Sequence, residues 1–147
     1  MRFLILLPLL FTLNTFAQLE IKSGPAAKQL AEYKTAGTVI ANLSAAVLST
    51  GDTVYLFGYK NTKYSRIFDW QSFSIMGISD SRQFLQLVKT MYENKNKEEE
   101  YTIKVGGDEK LNISWIEGDI HIIVSDSHGL YSTFKITKKI LDKLNVL

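Results

Sequence analysis

The chain has 147 residues, carries 17 Lys and Arg against 15 Asp and Glu, and contains no Cys. That near balance lacks the clustered basic excess with which nucleic-acid binders neutralise phosphates, so no nucleic-acid partner is expected. Without Cys there is neither a disulfide staple nor a thiol for a lipid, so stability must come from a packed apolar core, and the length suits one such core and no second domain.

Met1 and the single cation Arg2 precede an apolar run from Phe3 to Leu13, the polar pair Asn14 and Thr15, and then Phe16 and Ala17. This is the charge, core and cleavage-site order of a signal peptide, with small residues at Thr15 and Ala17 predicting a cut between Ala17 and Gln18. The run is shorter than the ~20 residues a permanent span requires. The expectation is a leader over 1–17 and a single exported domain over 18–147, periplasmic or secreted, with no membrane span after cleavage.

Ser23, Gly24 and Pro25 make a helix-start signal. Ala27, Leu30, Ala31, Ala36, Val39, Ile40, Leu43, Ala46 and Val47 then recur at spacings of three and four before Gly51. The number of Ala residues favours a helix near 25–49, although Val39, Ala41, Leu43, Ala45 and Val47 also alternate as a strand over 38–48 would.

From Thr53 the period becomes two. Tyr55, Phe57 and Tyr59 share one face, Lys60 to Lys63 read as a hairpin loop, and Tyr64, Arg66, Phe68 and Trp70 share a face on a returning strand, giving a hairpin over 53–76. Ser79 or Asp80 is placed to cap a helix near 80–94, whose Phe84, Leu87, Val88 and Met91 form one stripe widened by Leu85 and Tyr92. Lys95 to Glu100 read as a solvated connector.

The last third alternates throughout. Tyr101, Ile103 and Val105 lead to a turn at Gly106–Asp108, and Leu111, Ile113 and Trp115 to a turn at Glu117–Gly118. Ile120, Ile122 and Val124 then precede a turn at Asp126–Gly129, followed by Leu130, Ser132, Phe134 and Ile136. Thr102, Lys104, Asn112, Ser114 and Thr133 fall on the opposite face, so this four-stranded meander over 100–136 should be wet on one side. Thr137 caps a last helix near 137–146. The whole reads as an α+β fold, an antiparallel sheet of about six strands with three helices on its apolar face. No repeat of fixed period is present, although strands followed by a helix occur twice.

Three constellations bear on chemistry. A turn at Glu117–Gly118 places Ser114 opposite His121 with Asp119 on the same face, a Ser–His–Asp arrangement in reach but without a cleft or oxyanion donors; polar residues facing water are the plainer reading. His121, His128, Asp119 and Asp126 are the residues nearest to a metal set, but their spacing matches no ligand signature, and Asp126 more simply bonds to its own turn. No metal site and no cofactor are implied.

The most concentrated feature is aromatic: Tyr55, Phe57, Tyr59, Tyr64, Phe68 and Trp70 on one hairpin. Exposed, these residues would bind a glycan or a protein partner; buried, they would be core. Val54, Leu56 and Ile67 give the hairpin a second apolar face that the amino-terminal helix, a second copy of the chain or a ligand should cover. The sequence therefore points to a non-catalytic binding domain, with a small exported hydrolase as the alternative.

Overall fold

The computed structural model describes residues 26–64, 66–95 and 99–147; the leader expected over 1–17 lies outside the described residues. The chain forms two four-stranded antiparallel sheets, each a meander followed by a helix. The first contains β1 (Lys28–Thr35), β2 (Thr38–Val47), β3 (Thr53–Lys60) and β4 (Trp70–Met76), followed by α1 (Ile78–Asn94). The second contains β5 (Glu100–Lys104), β6 (Lys110–Ile116), β7 (Asp119–Ser125) and β8 (Tyr131–Ile136), followed by α2 (Lys138–Leu144). The α+β class expected from the sequence holds, with eight strands in two sheets among the described residues in place of about six in one.

The expected helix over 25–49 is instead the β1–β2 hairpin, the alternating pattern having been the better guide. Thr35 pairs with Thr38, which leaves Ala36 and Gly37 as a two-residue turn with φ of 48° and 80°. Positive φ at both central positions is the primed turn that matches strand twist, and Gly supplies it without strain. Ala41 and Ala46 are buried on β2, so these small side chains fill covered strand positions and do not mark helix.

The other corrections are local. Lys60 pairs with Trp70, so the strand returning from β3 begins at Trp70, and Tyr64 to Asp69 belong to a long connection. The cap of α1 is Gly77 without a side-chain hydrogen bond, in place of Ser79 or Asp80, while Thr137 caps α2 as expected by accepting from the Ile140 amide at 3.4 Å. Leu130, expected on the apolar face of β8, lies exposed in the turn before it.

The strand registers show the two halves to be built on one plan. Ala31, Leu43, Phe57 and Phe73 form a row across the first sheet, and Tyr101, Ile113, Ile122 and Phe134 form the same row across the second. Asn42 and Ser44 flank Leu43 as Asn112 and Ser114 flank Ile113. The connection 48–52 shrinks to 117–118 and the connection 61–69 to 126–130, which removes any constant period from the sequence.

Both helices serve one core. The first, α1, packs on β3, β4 and β7, while α2 packs on β1, β2 and β8 and touches α1, so each helix spans both sheets. Phe57 stacks on Phe73 at 5.1 Å and meets the edge of Phe84 from α1, while Tyr59 stacks on Phe134 of the other sheet at 4.8 Å. Among the described residues no helix is long and apolar enough to cross a membrane.

Candidate ligand-binding cleft

At one end of the molecule the connection 61–69 lies against the turn 126–130 and β8. Asn61, only 2% exposed, joins them. Its Oδ1 accepts from the amide of Thr133 at 2.9 Å and from that of Lys63 at 3.0 Å, and its Nδ2 donates to Asp69 Oδ2 at 2.8 Å. The Thr62 amide donates to the Thr133 carbonyl at 2.8 Å. A side-chain carboxamide and one backbone amide thus stand in for a further strand beside β8, satisfying groups that burial would otherwise leave unpaired.

The clip closes one side of a cleft of about 310 Å³ lined by Asn61, Tyr64, Asp69, Gln71, Ser72, Glu109, Val124, Asp126, Leu130, Tyr131 and Ser132. Its three carboxyls differ in environment. Hydrogen bonds from Asn61 and from Gln71 hold the Asp69 carboxyl below the usual carboxylate range. Burial, and then the charge of Asp126, push the Glu109 carboxyl up. Asp126 Oδ1 accepts from the amides of His128 and Leu130, both at 2.9 Å, and so shapes its own turn. Beneath the cleft, Tyr59 and Ser132 share a hydrogen bond of 2.5 Å, and burial pushes the Tyr59 hydroxyl up to about 12.

The six aromatic residues of the hairpin divide. Tyr55, Phe57 and Tyr59 are 7%, 1% and 0% exposed and belong to the core, whereas Tyr64, Phe68 and Trp70 are exposed. Tyr131 joins Tyr64 in the cleft wall, and the Lys63 ammonium lies 3.6 Å from the ring centre of Tyr131 and 5.4 Å from that of Tyr64. Phe68 and Trp70 lie nearly parallel, 14° apart, with centres 6.3 Å apart. Trp70 lies across the outer face of the first sheet at Gly58, where a Cβ would come within 2.7 Å of the indole, so glycine makes room for the ring. The second apolar face of the hairpin is therefore covered in part by its own tryptophan.

Ser114 and His121 pair in register as the turn at Glu117–Gly118 requires, but Asp119 is engaged elsewhere. Its Oδ2 is 2.8 Å from Lys135 Nζ, and its Oδ1 accepts from the Tyr92 hydroxyl at 3.2 Å. Neither the cleft described above nor the depression described below is lined by any of the three. Among the described residues no cluster of His, Asp or Glu is arranged to hold a metal ion, and Asp126 is bonded to its turn. A larger depression of about 930 Å³ lies between the ends of the helices, with Tyr92 and Trp115 as walls and charged side chains including Glu93, Glu117 and Lys138 around it. There the Tyr92 hydroxyl has its single proton shared between Asp119 and the Ile136 carbonyl, so it has no further proton to donate to a ligand.

The sequence reading missed Asn61, Asp69, Gln71, Glu109 and Tyr131, and weighed Asp126 only as a metal ligand or, as the structure has it, a residue bonded to its own turn. Only Tyr131 leaves a signal, being an aromatic residue out of phase with the buried positions Phe134 and Ile136 of its strand. Comparison with protein-family models, curated proteins and solved structures finds no match to this chain.

Proposed function

We propose that the chain is an exported, non-catalytic binding domain whose ligand is a glycan seated in the cleft between the connection 61–69 and the turn 126–130. The composition of the cleft wall carries this reading. Tyr64 and Tyr131 offer ring faces to the apolar side of a sugar, while Gln71, Ser72, Ser132, Asp69 and Glu109 supply donors and acceptors for hydroxyls. A few fixed polar groups around an aromatic wall is the make-up of small-ligand sites, and tyrosines bring contact area at small entropic cost. Export is supported by the leader, and intact mass of the protein recovered from its host should show loss of the first 17 residues.

The binding test is a glycan array with Tyr131→Ala and Trp70→Ala. Tyr131→Ala should weaken binding about tenfold or more, as expected on losing an aromatic anchor. Trp70 lies beside the cleft and does not line it, so Trp70→Ala measures how far the aromatic surface extends. Binding unchanged in both variants removes this surface from the account.

A small hydrolase is the second reading, favoured by two carboxyls in one cleft whose environments move them in opposite directions, Glu109 up and Asp69 down. That is the division between a proton donor and an ionised partner in glycoside hydrolysis. Release of reducing ends from the bound glycans, abolished by Glu109→Gln, would favour it over simple binding.

A further inference from the structure

The cleft accounts for only part of this end of the molecule. Half of the exposed large apolar side chains among the described residues, Tyr64, Ile67, Phe68, Trp70, Leu130 and Tyr131, gather on the connection 61–69, the start of β4 and the segment 130–131. Three of them are the least covered: Ile67 at 63%, Phe68 at 56% and Leu130 at 71% exposed. Ile67 and Phe68 do not line the cleft. Isolated apolar side chains on a surface need no explanation, but a cluster at one end does.

The charges of the same segment are arranged around them. Lys60, Lys63 and Arg66 are its cations, with the Lys60 ammonium 5.7 Å from the Phe68 ring and that of Lys63 3.6 Å from the Tyr131 ring. Its one acid, Asp69, is bonded to Asn61 and Gln71 and faces the cleft. The outer edge of the rim therefore presents apolar and aromatic tips interleaved with positive charge, while the carboxyls of Asp69, Glu109 and Asp126 lie in the cleft behind it.

We infer that this rim is an anchor for a lipid surface carrying anionic headgroups, with Ile67, Phe68, Trp70 and Leu130 entering the interfacial layer and Lys60, Lys63 and Arg66 meeting the headgroups. Mixed cationic and apolar surfaces bind the membrane boundary because apolar burial and headgroup attraction add, and Trp rings settle at that boundary. A protein partner needs a surface shaped to separate tips from two connections. A lipid interface deforms around them. The aromatic–cation interleaving matches the charge of such a surface without further fitting. This inference is independent of what fills the cleft.

The test is sedimentation of the protein as its host releases it, amino terminus fixed by intact mass, with vesicles of phosphatidylcholine alone or mixed equally with phosphatidylglycerol. The mixed vesicles should bind the protein more tightly, and salt should weaken that binding. Ile67→Ser with Phe68→Ser should reduce it by about tenfold for each side chain. Met76→Ser with Ile116→Ser, which removes exposed apolar groups elsewhere, should leave it unchanged. On vesicle addition the Trp70 emission should shift to the blue, and Trp70→Phe should remove the shift. All replaced side chains are exposed, so circular dichroism should report an intact fold in each variant. Absence of vesicle binding overturns the inference, and so does equal binding by the Ile67/Phe68 variant. Loss of a soluble glycan or protein ligand from that variant, with no vesicle binding by the parent, assigns the rim to a different class of partner and also overturns it.

Discussion

Replacing Asn61 with Ala tests the clip that builds the cleft. The side chain is buried and makes hydrogen bonds to the amides of Thr133 and Lys63 and to the carboxylate of Asp69. Truncation leaves the part-buried Thr133 amide without its partner, at a cost of about 1–3 kcal/mol, and removes a bond to the Lys63 amide with a net value of about 1 kcal/mol. Nothing is added for Asp69, whose carboxylate water can solvate. The expected loss is about 2–4 kcal/mol, or a fall of roughly 10 °C in the thermal midpoint for a domain of this size. Urea unfolding followed by circular dichroism should show the midpoint moving with an unchanged slope, since the surface exposed on unfolding stays the same. Asn61→Asp retains an acceptor for Thr133 but sets a second carboxylate against Asp69, so its instability should lessen as pH falls through the carboxylate range. A loss below about 0.5 kcal/mol in the Ala variant, the range of ordinary surface changes, would refute the claim that Asn61 joins the connection to β8.

Three further outcomes follow from the same geometry. Gly58→Ala places a methyl group 2.7 Å from the Trp70 indole and 2.3 Å from Asn42 Oδ1, so it should destabilise by about 1–3 kcal/mol and move the Trp70 emission to the red as the ring is displaced. Glu109 has its carboxyl raised by burial and by Asp126, so its ionised form opposes folding; Glu109→Gln should raise the thermal midpoint at neutral pH, and the gain should fade as pH falls through the raised value toward the unfolded value of 4.5. A gain that persists in acid contradicts this. Tyr59 should remain un-ionised until about pH 12 in a spectrophotometric titration, and Tyr59→Phe should remove that late transition with a loss of about 1 kcal/mol from the bond to Ser132.

The second sheet was legible because its strands alternate strictly and its turns are marked by Gly106–Gly107, Glu117–Gly118 and Gly129, so local chemistry and tertiary burial agree. The β1–β2 hairpin was not, because alanines that favour a helix locally occupy covered positions of its strands. The only turn signal there, Ala36–Gly37, also resembles a break within a helix. Tyr64, Phe68 and Trp70 could be singled out from composition. Their separation from Tyr55, Phe57 and Tyr59 required the register, which ends the pairing at Lys60 and Trp70. Asp69, Glu109 and Asp126 lie on connections from both halves of the chain, and the clip from Asn61 and Thr62 to Thr133, which no local pattern announces, brings the first of these connections to β8.

The cross-over of α2 onto β1 and β2 has a consequence for how the polypeptide matures. The opening hairpin acquires its lid only after the closing helix has been synthesised, so β1 and β2 cannot complete their packing until the rest of the chain has been made, although β3 and β4 meet α1 earlier. A molecule wired in this way closes its first and last strands in one late event, so its two ends should gain protection together.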